Sequence, residues 1–485
     1  MASILLANKR YYYLLLAFCS IVFVTLFSYV NSPLYIRRGI DQMIFQQIGY
    51  AILEGKVPYI DVFDHKGFYL FLFQAFGLFI GGRTGILLLQ AISLFLTLIM
   101  FDEIIRLFKK ALVIRFCFIF LSLTILLCLY QGGGTSEDIS LPFITFPWMV
   151  YLKRIKSKSN ITNSETIAIG VCFGILSFIR ISNAAPFCGL FIFVFIDWLI
   201  QKKYKRILIL ISFLILGILI AITPCLIYFY AKADMEGINQ MLYGTFLFNI
   251  EYIESTQSGL FSIRALNFIC MVSLFILLLL KYNREKSKVM IPALLGYFFC
   301  FSAIGTRYHL HYMMIFLPLF IISLSQIPIK KSRLNLVIAA IFCLLFLVNA
   351  AEPLARLVQH GILQKDSSKT VFQQFHKFAS TLSQTDKDSI YNYNGSVFAL
   401  SLLNQEAIVQ CNRIMMRNHL AISKKLKIEE ENKKLKVMNP KYILVCLDDR
   451  TSIKDIDMNY INEYYKPIEK FKYKINLTCF KRIKE

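Results

Sequence analysis

The chain has 485 residues, is 57% hydrophobic with 44 Phe, and carries charge at only 17% of positions, with a mean hydropathy of +0.58. That combination excludes a soluble globular protein and points to a helical protein that crosses a membrane many times. The formal net charge of +23 sits partly in alternate loops between apolar runs, which makes nucleic-acid binding a poor explanation of it.

Apolar runs fall at 11–30, 84–101, 112–130, 139–152, 166–180, 184–200, 207–230, 265–280, 289–304, 310–327 and 334–350, which predicts about eleven transmembrane helices. Several are shorter than the ~20 residues of an upright span. The first run is long and lacks a small-residue cleavage site, so it reads as a retained helix rather than a signal peptide. Nine of the twelve Cys lie in these runs, and only Cys411, Cys446 and Cys479 fall in the polar tail. The sequence has no CxxC and no Cys/His pair at metal spacing, so nothing in it points to structural zinc.

Lys9 and Arg10 put the N-terminus in the cytoplasm. Basic residues then crowd 106–115, 153–158, 202–206, 281–288 and 330–333, whereas the loops between hold little beyond Arg180, Lys232, Arg264 and Arg307. The positive-inside rule makes the first set cytoplasmic and the second external. The segment 67–82, GFYLFLFQAFGLFIGG, would invert every later loop if it crossed, so it is expected to lie along the outer interface. The external segments are then 31–83, 131–138, 180–183, 231–264 and 305–309. In the first of them Ile40, Met43, Ile44, Ile48, Ala51 and Ile52 repeat at helical spacing, which predicts a surface helix.

Beyond about 350 the pattern becomes Lys-rich and mixed. Ser389–Tyr393, Ala407–Gln410 and Lys441–Leu447 read as strands, and 416–437 and 455–465 as helices. The expected organisation is a transmembrane domain over 1–350, containing the loop 31–83 with its juxtamembrane helices, and a small soluble α/β domain over 365–485. With eleven crossings the small domain lies outside.

The topology gathers the polar residues of interest on one side: Asp41, Asp61, Asp64, His65, Lys66, Glu137, Asp138, Arg180, Asn183, Arg307, Tyr308, His309, His311 and Tyr312. Several have structural alternatives. Asp41 fits the first turn of the surface helix, Ser136-Glu137-Asp138 fits a cap and acidic first turn, and Arg307 fits a snorkelling helix end. Asp64-His65-Lys66 before Gly67 makes a poor cap and a poor strand. Charge is expensive near hydrocarbon, so the triplet reads as functional. Lys and Arg suit a phosphate, and a carboxylate can take the proton of an attacking hydroxyl. Gly132-Gly133-Gly134 lacks the Lys of a phosphate-cradling loop, so nucleotide chemistry has no visible site.

The first loop, GIDQMIFQQIGYAILEGKVPY with its overlapping continuation Pro58-Tyr59-Ile60-Asp61-Val62-Phe63-Asp64-His65-Lys66, joins GGGTSEDISLP around Glu137-Asp138 and the Arg307…His311-Tyr312 pattern. Together these resemble the GT-C superfamily of integral-membrane glycosyltransferases, and in particular the bacterial relatives of protein mannosyltransferases and the aminoarabinose transferase. The resemblance runs over most of 1–350 and implies an all-α polytopic bundle that uses a polyprenyl-phosphate sugar donor. It implies Asp41 as the catalytic base, with Glu137 or Asp138 assisting. Lys66 and Arg307 would bind the donor phosphate, with His311 and Tyr312 beside them, and Asp61, Asp64, His65 and Arg180 would support. Asp41 and Asp138 are the implied ligands if a divalent cation is used. Two departures stand out: Lys66-Gly67-Phe68 replaces the family's frequent Lys-Pro-Pro, and Asp41-Gln42 its frequent Asp-Glu.

The expected function is inverting transfer of a hexosyl or pentosyl group to a lipid or cell-surface glycan hydroxyl, at the outer face of a bacterial inner membrane. A glycan polymerase and a lipid-linked oligosaccharide flippase are the alternatives. A flippase predicts mid-membrane charges and inverted repeats, which the sequence does not display.

Overall fold

The computed structural model describes residues 9–36, 39, 41–255, 287–304, 309–326, 348, 350–363, 369–393, 396–413, 428–446, 457–472 and 476–483. Among them, Arg10–Phe27, Phe68–Arg106, Leu112–Leu129, Asn163–Ile200 and Tyr204–Glu251 are helical stretches long and apolar enough to cross a membrane. Lys288–Ile304 and Leu310–Gln326 are shorter apolar helices. The protein is a multi-pass helical membrane protein with a small C-terminal sheet. Two expected spans, 166–180 and 184–200, are joined in one stretch by a 3-10 turn at Ile181–Ala184. The run 265–280 and most of 334–350 lie outside the described residues.

The chain divides into two compact units: Met1–Ser28, Leu87–Leu226 and Ser258–Val358 form the first, and Tyr29–Ile86, Ile227–Gln257 and Gln359–Glu485 the second. The first external loop therefore groups with the C-terminal segment, although more than 270 positions of sequence separate Ile86 from Gln359.

The first unit takes its core from α1 (Lys9–Phe27), the distal part of α3 (Phe68–Arg106), α4 (Leu112–Leu129), α5 (Ser136–Ser157), α6 (Asn163–Arg180), α7 (Ala185–Ile200) and α10 (Ser287–Ile304), with a 3-10 turn at Leu310–Phe316 and α11 (Leu317–Gln326). Trp148 and Tyr297 are among its fully buried side chains. In hydrocarbon, helices gain little from apolarity alone and associate through close backbone approach. Here Gly189 of α7 faces Gly296 of α10 with no room for a Cβ, and α6 meets Tyr204–Leu242 (α8) in the same way at Gly170 and Gly217. Near the predicted cytoplasmic ends the charges are paired. Asp102 is fully buried, accepts from Tyr12 Oη at 2.8 Å and pairs with Arg115, while Glu103 pairs with Lys153 at 2.9 Å.

In the second unit, α2 (Asp41–Leu53) is followed by the proximal arm of α3. The α3 helix is interrupted at Gly81 (φ −171°, ψ 33°) and Gly82 (φ 61°, ψ −141°), and Gly82 occupies a left-handed region that only Gly enters freely. The break separates the arm 68–80 from 83–106, which contains the predicted span 84–101. The arms fold back tightly: a Cβ on Gly77 would lie 2.6 Å from Ile86 Cγ1 and 2.8 Å from its Cα. Because backbone cannot yield there, Gly77→Ala is expected to destabilise the protein by roughly 1–3 kcal/mol through overpacking. The thermal midpoint in detergent reads this, and an unchanged midpoint would show that the arms are not held this closely. Leu72, Phe76, Phe79 and Ile80, at i, i+4, i+7 and i+8 of the proximal arm, form an exposed apolar stripe. The α8 helix breaks in the same way at Ala233 (φ −156°) and Asp234 (φ 49°), where the external segment 231–264 was expected to begin.

The C-terminal part of this unit has a four-stranded sheet ordered β1-β2-β4-β3, formed by Ile390–Asn392 (β1), Tyr442–Cys446 (β2), Tyr465–Lys472 (β3) and Asn476–Arg482 (β4). The β1 strand runs parallel to β2, and β4 is antiparallel to both β2 and β3, with a bulge in β3 between Pro467 and Glu469. The strands expected at 389–393 and 441–447 are present, whereas β3 and β4 were not anticipated. The strand expected at Ala407–Gln410 is absent. Ala407 takes φ 52° at the end of Val397–Gln405, and the Ile408 carbonyl and Gln410 N–H are both taken by the Gln47 amide instead of by a ladder. The helix expected at 455–465 is Met458–Tyr464, and that expected at 416–437 is described only as Ile428–Met438.

Candidate active site

In the second unit, Asp41 is the first residue of α2, half-buried in the turn where the helix dipole favours a carboxylate. Three glutamines of this helix, Gln42, Gln46 and Gln47, are buried. Gln46 Nε2 donates to Asn31 Oδ1 at 2.6 Å, and Gln47 Nε2 donates to Asn404 Oδ1 at 2.8 Å and to the Ile408 carbonyl at 2.7 Å. Asn404 Nδ2 in turn donates to the Met43 carbonyl at 2.8 Å, two residues from Asp41. The helix that bears Asp41 is thus bonded to the C-terminal segment by buried amides, which fix its position because each group lost would remain unsatisfied away from water.

After α2 the chain makes a compact turn. The exposed Asp61 accepts from the Val57 N–H at 2.6 Å, so it shapes the turn. Asp64, His65 and Lys66 are all more than nine-tenths buried. Lys66 Nζ lies 2.8 Å from His65 Nε2, and His65 Nδ1 lies 3.8 Å from Asp64 Oδ2. An ammonium has only donors, so a protonated Lys66 requires Nε2 as acceptor and leaves the ring proton on Nδ1, facing Asp64. Asp64 Oδ1 also accepts from the Lys66 N–H at 3.1 Å. Asn249 Nδ2 donates to the His65 carbonyl at 2.9 Å, Phe248 packs on the imidazole, and Lys66 Nζ stands 5.9 Å from the Phe45 ring centroid. The result is a line of cation, imidazole and carboxylate enclosed by aromatic rings. In such surroundings a cation interacts with an incoming anion far more strongly than it would in water.

In the first unit, Glu137 and Asp138 occupy the first turn of α5, with Thr135 rather than Ser136 at the N-cap. Gln131, Gly132, Gly133 and Gly134 all have positive φ. This run directs the Gly134 N–H at Asp138 Oδ2 (2.9 Å), which also accepts from Gln90 Nε2 at 3.2 Å. Oδ1 accepts from Thr135 Oγ1 at 3.3 Å and from the Ile139 N–H at 3.0 Å. Burial nevertheless raises the carboxyl pKa to about 6, against the lowering effect of these donors. A raised acid pKa stabilises the fold below the unfolded value near 4, and that contribution is lost as pH rises through 6. The component is of order 3 kcal/mol. Thermal midpoints in detergent should therefore fall between pH 4 and pH 7 in the native chain, with a flatter profile in Asp138→Asn. Identical profiles would show that Asp138 does not titrate in this window.

Glu137, almost fully buried, accepts from Arg180 Nη1 at 2.5 Å, and Tyr312 stacks on the same guanidinium with 3.9 Å between Cζ and the ring centroid. Tyr312 also meets His309 and His311 edge-on, and His311 Nδ1 lies 2.8 Å from Gln131 Oε1. Asn183 Nδ2 donates to the Ser136 carbonyl and to Ser140 Oγ. The structure therefore brings Asp64, His65 and Lys66 together in one unit, and Glu137, Arg180, His311 and Tyr312 in the other. Arg307 lies outside the described residues. Among the described residues no three His, Cys, Asp or Glu side chains are grouped to hold a metal ion. At Asp138 the four N–H and O–H donors point where a cation would sit, so this carboxylate does not fit the ligand role. Sequence reading quoted Tyr59 only as part of the first-loop motif, and missed Gln47, Gln90, Asn404 and Arg413. Their sequence signal is that of polar residues in the first external loop, in the apolar run 84–101 or in a mixed tail.

No protein-family model matches the sequence, and no curated protein matches it. The fold matches solved structures along almost its whole length. ArnT from Cupriavidus metallidurans, bound to undecaprenyl phosphate, superposes with a TM-score of 0.61 at 11% identity, covering 97% of this chain and 98% of that one. The archaeal oligosaccharyltransferase AglB from Archaeoglobus fulgidus, in complex with an inhibitory peptide and a dolichol-phosphate, superposes at 0.50 with 10% identity, covering 97% and 74%. At such identity the likeness shows the fold alone: this chain shares the overall architecture of these two membrane proteins.

Proposed function

We propose that the protein transfers a sugar from a polyprenyl-phosphate carrier to a hydroxyl of a lipid or cell-surface glycan, at the outer face of a bacterial inner membrane. The observation that carries this reading is the buried Lys66–His65–Asp64 line, placed directly before a helical arm whose exposed stripe is Leu72, Phe76, Phe79 and Ile80. A site that combines an enclosed ammonium with an apolar interfacial helix suits a ligand with a phosphate head and a hydrocarbon tail. Both structural neighbours were solved with such a lipid, which supports the reading as an analogy of fold.

In the proposed reaction the Asp41 carboxylate takes the proton of the acceptor hydroxyl, and the oxygen attacks the anomeric carbon from the face opposite the phosphate. The bond from that carbon to the phosphate oxygen breaks with inversion. Lys66 stabilises the charge that collects on the departing phosphate, while His65 and Asp64 hold the ammonium in place. Glu137, Asp138, Arg180, His311 and Tyr312 take structural roles within the first unit in this proposal, because their hydrogen bonds and ring contacts already engage them. Arg307 is the second candidate for the phosphate. The reading is tested by mass analysis of surface glycans and lipids from a strain lacking the protein. One sugar missing at a defined attachment point is the expected result. Shortened polymer of unchanged composition would indicate a polymerase instead, and an unchanged profile would refute transfer.

A further inference from the structure

Tyr59 is the strained point of the first loop. Its φ is 68°, a left-handed conformation that a bulky aromatic rarely adopts, and its side chain is fully buried. Such a residue persists only where its surroundings over-determine it. Its N–H donates to the Val62 carbonyl at 2.6 Å. Its ring fills the place where a Cβ on Gly244 would stand. Its hydroxyl donates to the Lys66 carbonyl at 2.7 Å, coupling this residue to the main chain of the proposed phosphate-binding lysine.

The remaining backbone group, the Tyr59 carbonyl, accepts from Arg413 Nη2 at 2.5 Å. Arg413 lies 354 positions away in sequence, in the C-terminal segment of the same unit. It engages the loop twice more: its carbonyl accepts from the Phe63 N–H at 2.8 Å, and its guanidinium lies 5.7 Å from the Phe63 ring centroid. The same Nη2 reaches Gln240 Oε1 at 3.2 Å. A planar guanidinium can hold this geometry where a flexible ammonium meets only part of it.

We propose that Arg413 is a positioning residue for Lys66: it fastens the Tyr59 carbonyl, keeps that residue in its left-handed conformation, and through the Tyr59 hydroxyl sets where the Lys66 ammonium meets a polyprenyl phosphate. The inference rests on the donor-phosphate reading given above and adds the C-terminal segment to it as a working part of the loop.

The full chain in detergent, as native protein and as Arg413→Ala, Arg413→Lys and Lys66→Met, is examined by hydrogen exchange and by titration with undecaprenyl phosphate. In Arg413→Ala, exchange over 57–68 should rise about tenfold while β2 and β4 stay protected. Affinity for undecaprenyl phosphate should weaken about tenfold, with Arg413→Lys intermediate. Lys66→Met should lose binding and keep native exchange over 57–62. Unchanged exchange over 57–68 in Arg413→Ala overturns the proposal, and so does an equal rise across the sheet, which would make Arg413 a general support of the unit. Failure of the native chain to bind undecaprenyl phosphate would sink the donor reading separately, since the exchange measurement still decides whether Arg413 holds the loop.

Discussion

Lys66→Met is expected to lower sugar transfer about a thousandfold, the scale seen when one preorganised electrostatic donor to a developing anion is removed. Methionine keeps an unbranched stem of similar length in a pocket that leaves Lys66 only 6% exposed, so the packing against Phe45 survives while the charge is lost. The loss should appear in turnover and in donor affinity together, because an ammonium binds the phosphate in the donor and binds it more tightly as its charge grows. Membranes with matched amounts of native and variant protein, assayed for release of polyprenyl phosphate from the cognate donor, provide the measurement. Transfer at the native rate in the variant would remove Lys66 from the site and leave the Asp64-His65-Lys66 line as a buried structural feature.

For Asp41→Asn the expected loss is about 10²–10⁴-fold, the contribution of a positioned general base. Asparagine is nearly isosteric, so α2 keeps its start and its bonds through Gln47 and Asn404. This separates the catalytic reading from the structural one. If Asp41 serves only the helix dipole, its charge is worth roughly 0.3–1 kcal/mol of stability and transfer persists. Asp41→Glu moves the carboxylate by one methylene and should retain a fraction of activity. Native activity in Asp41→Asn, with a slightly lower thermal midpoint, would establish the structural role.

Which of these features could be read from the amino-acid sequence depended on how far apart the interacting groups lie. The membrane class followed from composition. The grouping of Asp64, His65 and Lys66 was visible because they are adjacent. The end of the apolar segment at Gly81-Gly82 was marked by its glycines, and the break there is one that Gly82 makes at positive φ. By contrast, the bonds from Gln47 to Asn404 and from Arg413 to Tyr59 span more than 350 positions, and no local pattern announces them. The same limit hid the grouping of the first loop with the C-terminal segment. In the sheet, β2 was legible as the apolar run Tyr442–Cys446, whereas β3 reads YKPIEKFK and looks like a solvated loop until its pairing with β4 is seen. Ala407–Gln410 failed as a strand for a physical reason, namely that a buried side-chain amide took the backbone groups that a ladder requires.

The β3 strand has a further consequence for the protein in a crowded membrane. It is an outer strand of the sheet, and among the described residues one of its sides has no neighbouring strand. Along it lie Lys466, Lys470 and Lys472, together with Pro467, which has no N–H to offer, and a bulge that interrupts the regular spacing of its carbonyls. A second copy of the chain approaching this border would meet like charges and a broken row of partners. Self-association by strand addition is thereby discouraged, and the protein can accumulate without its C-terminal sheets stacking edge to edge.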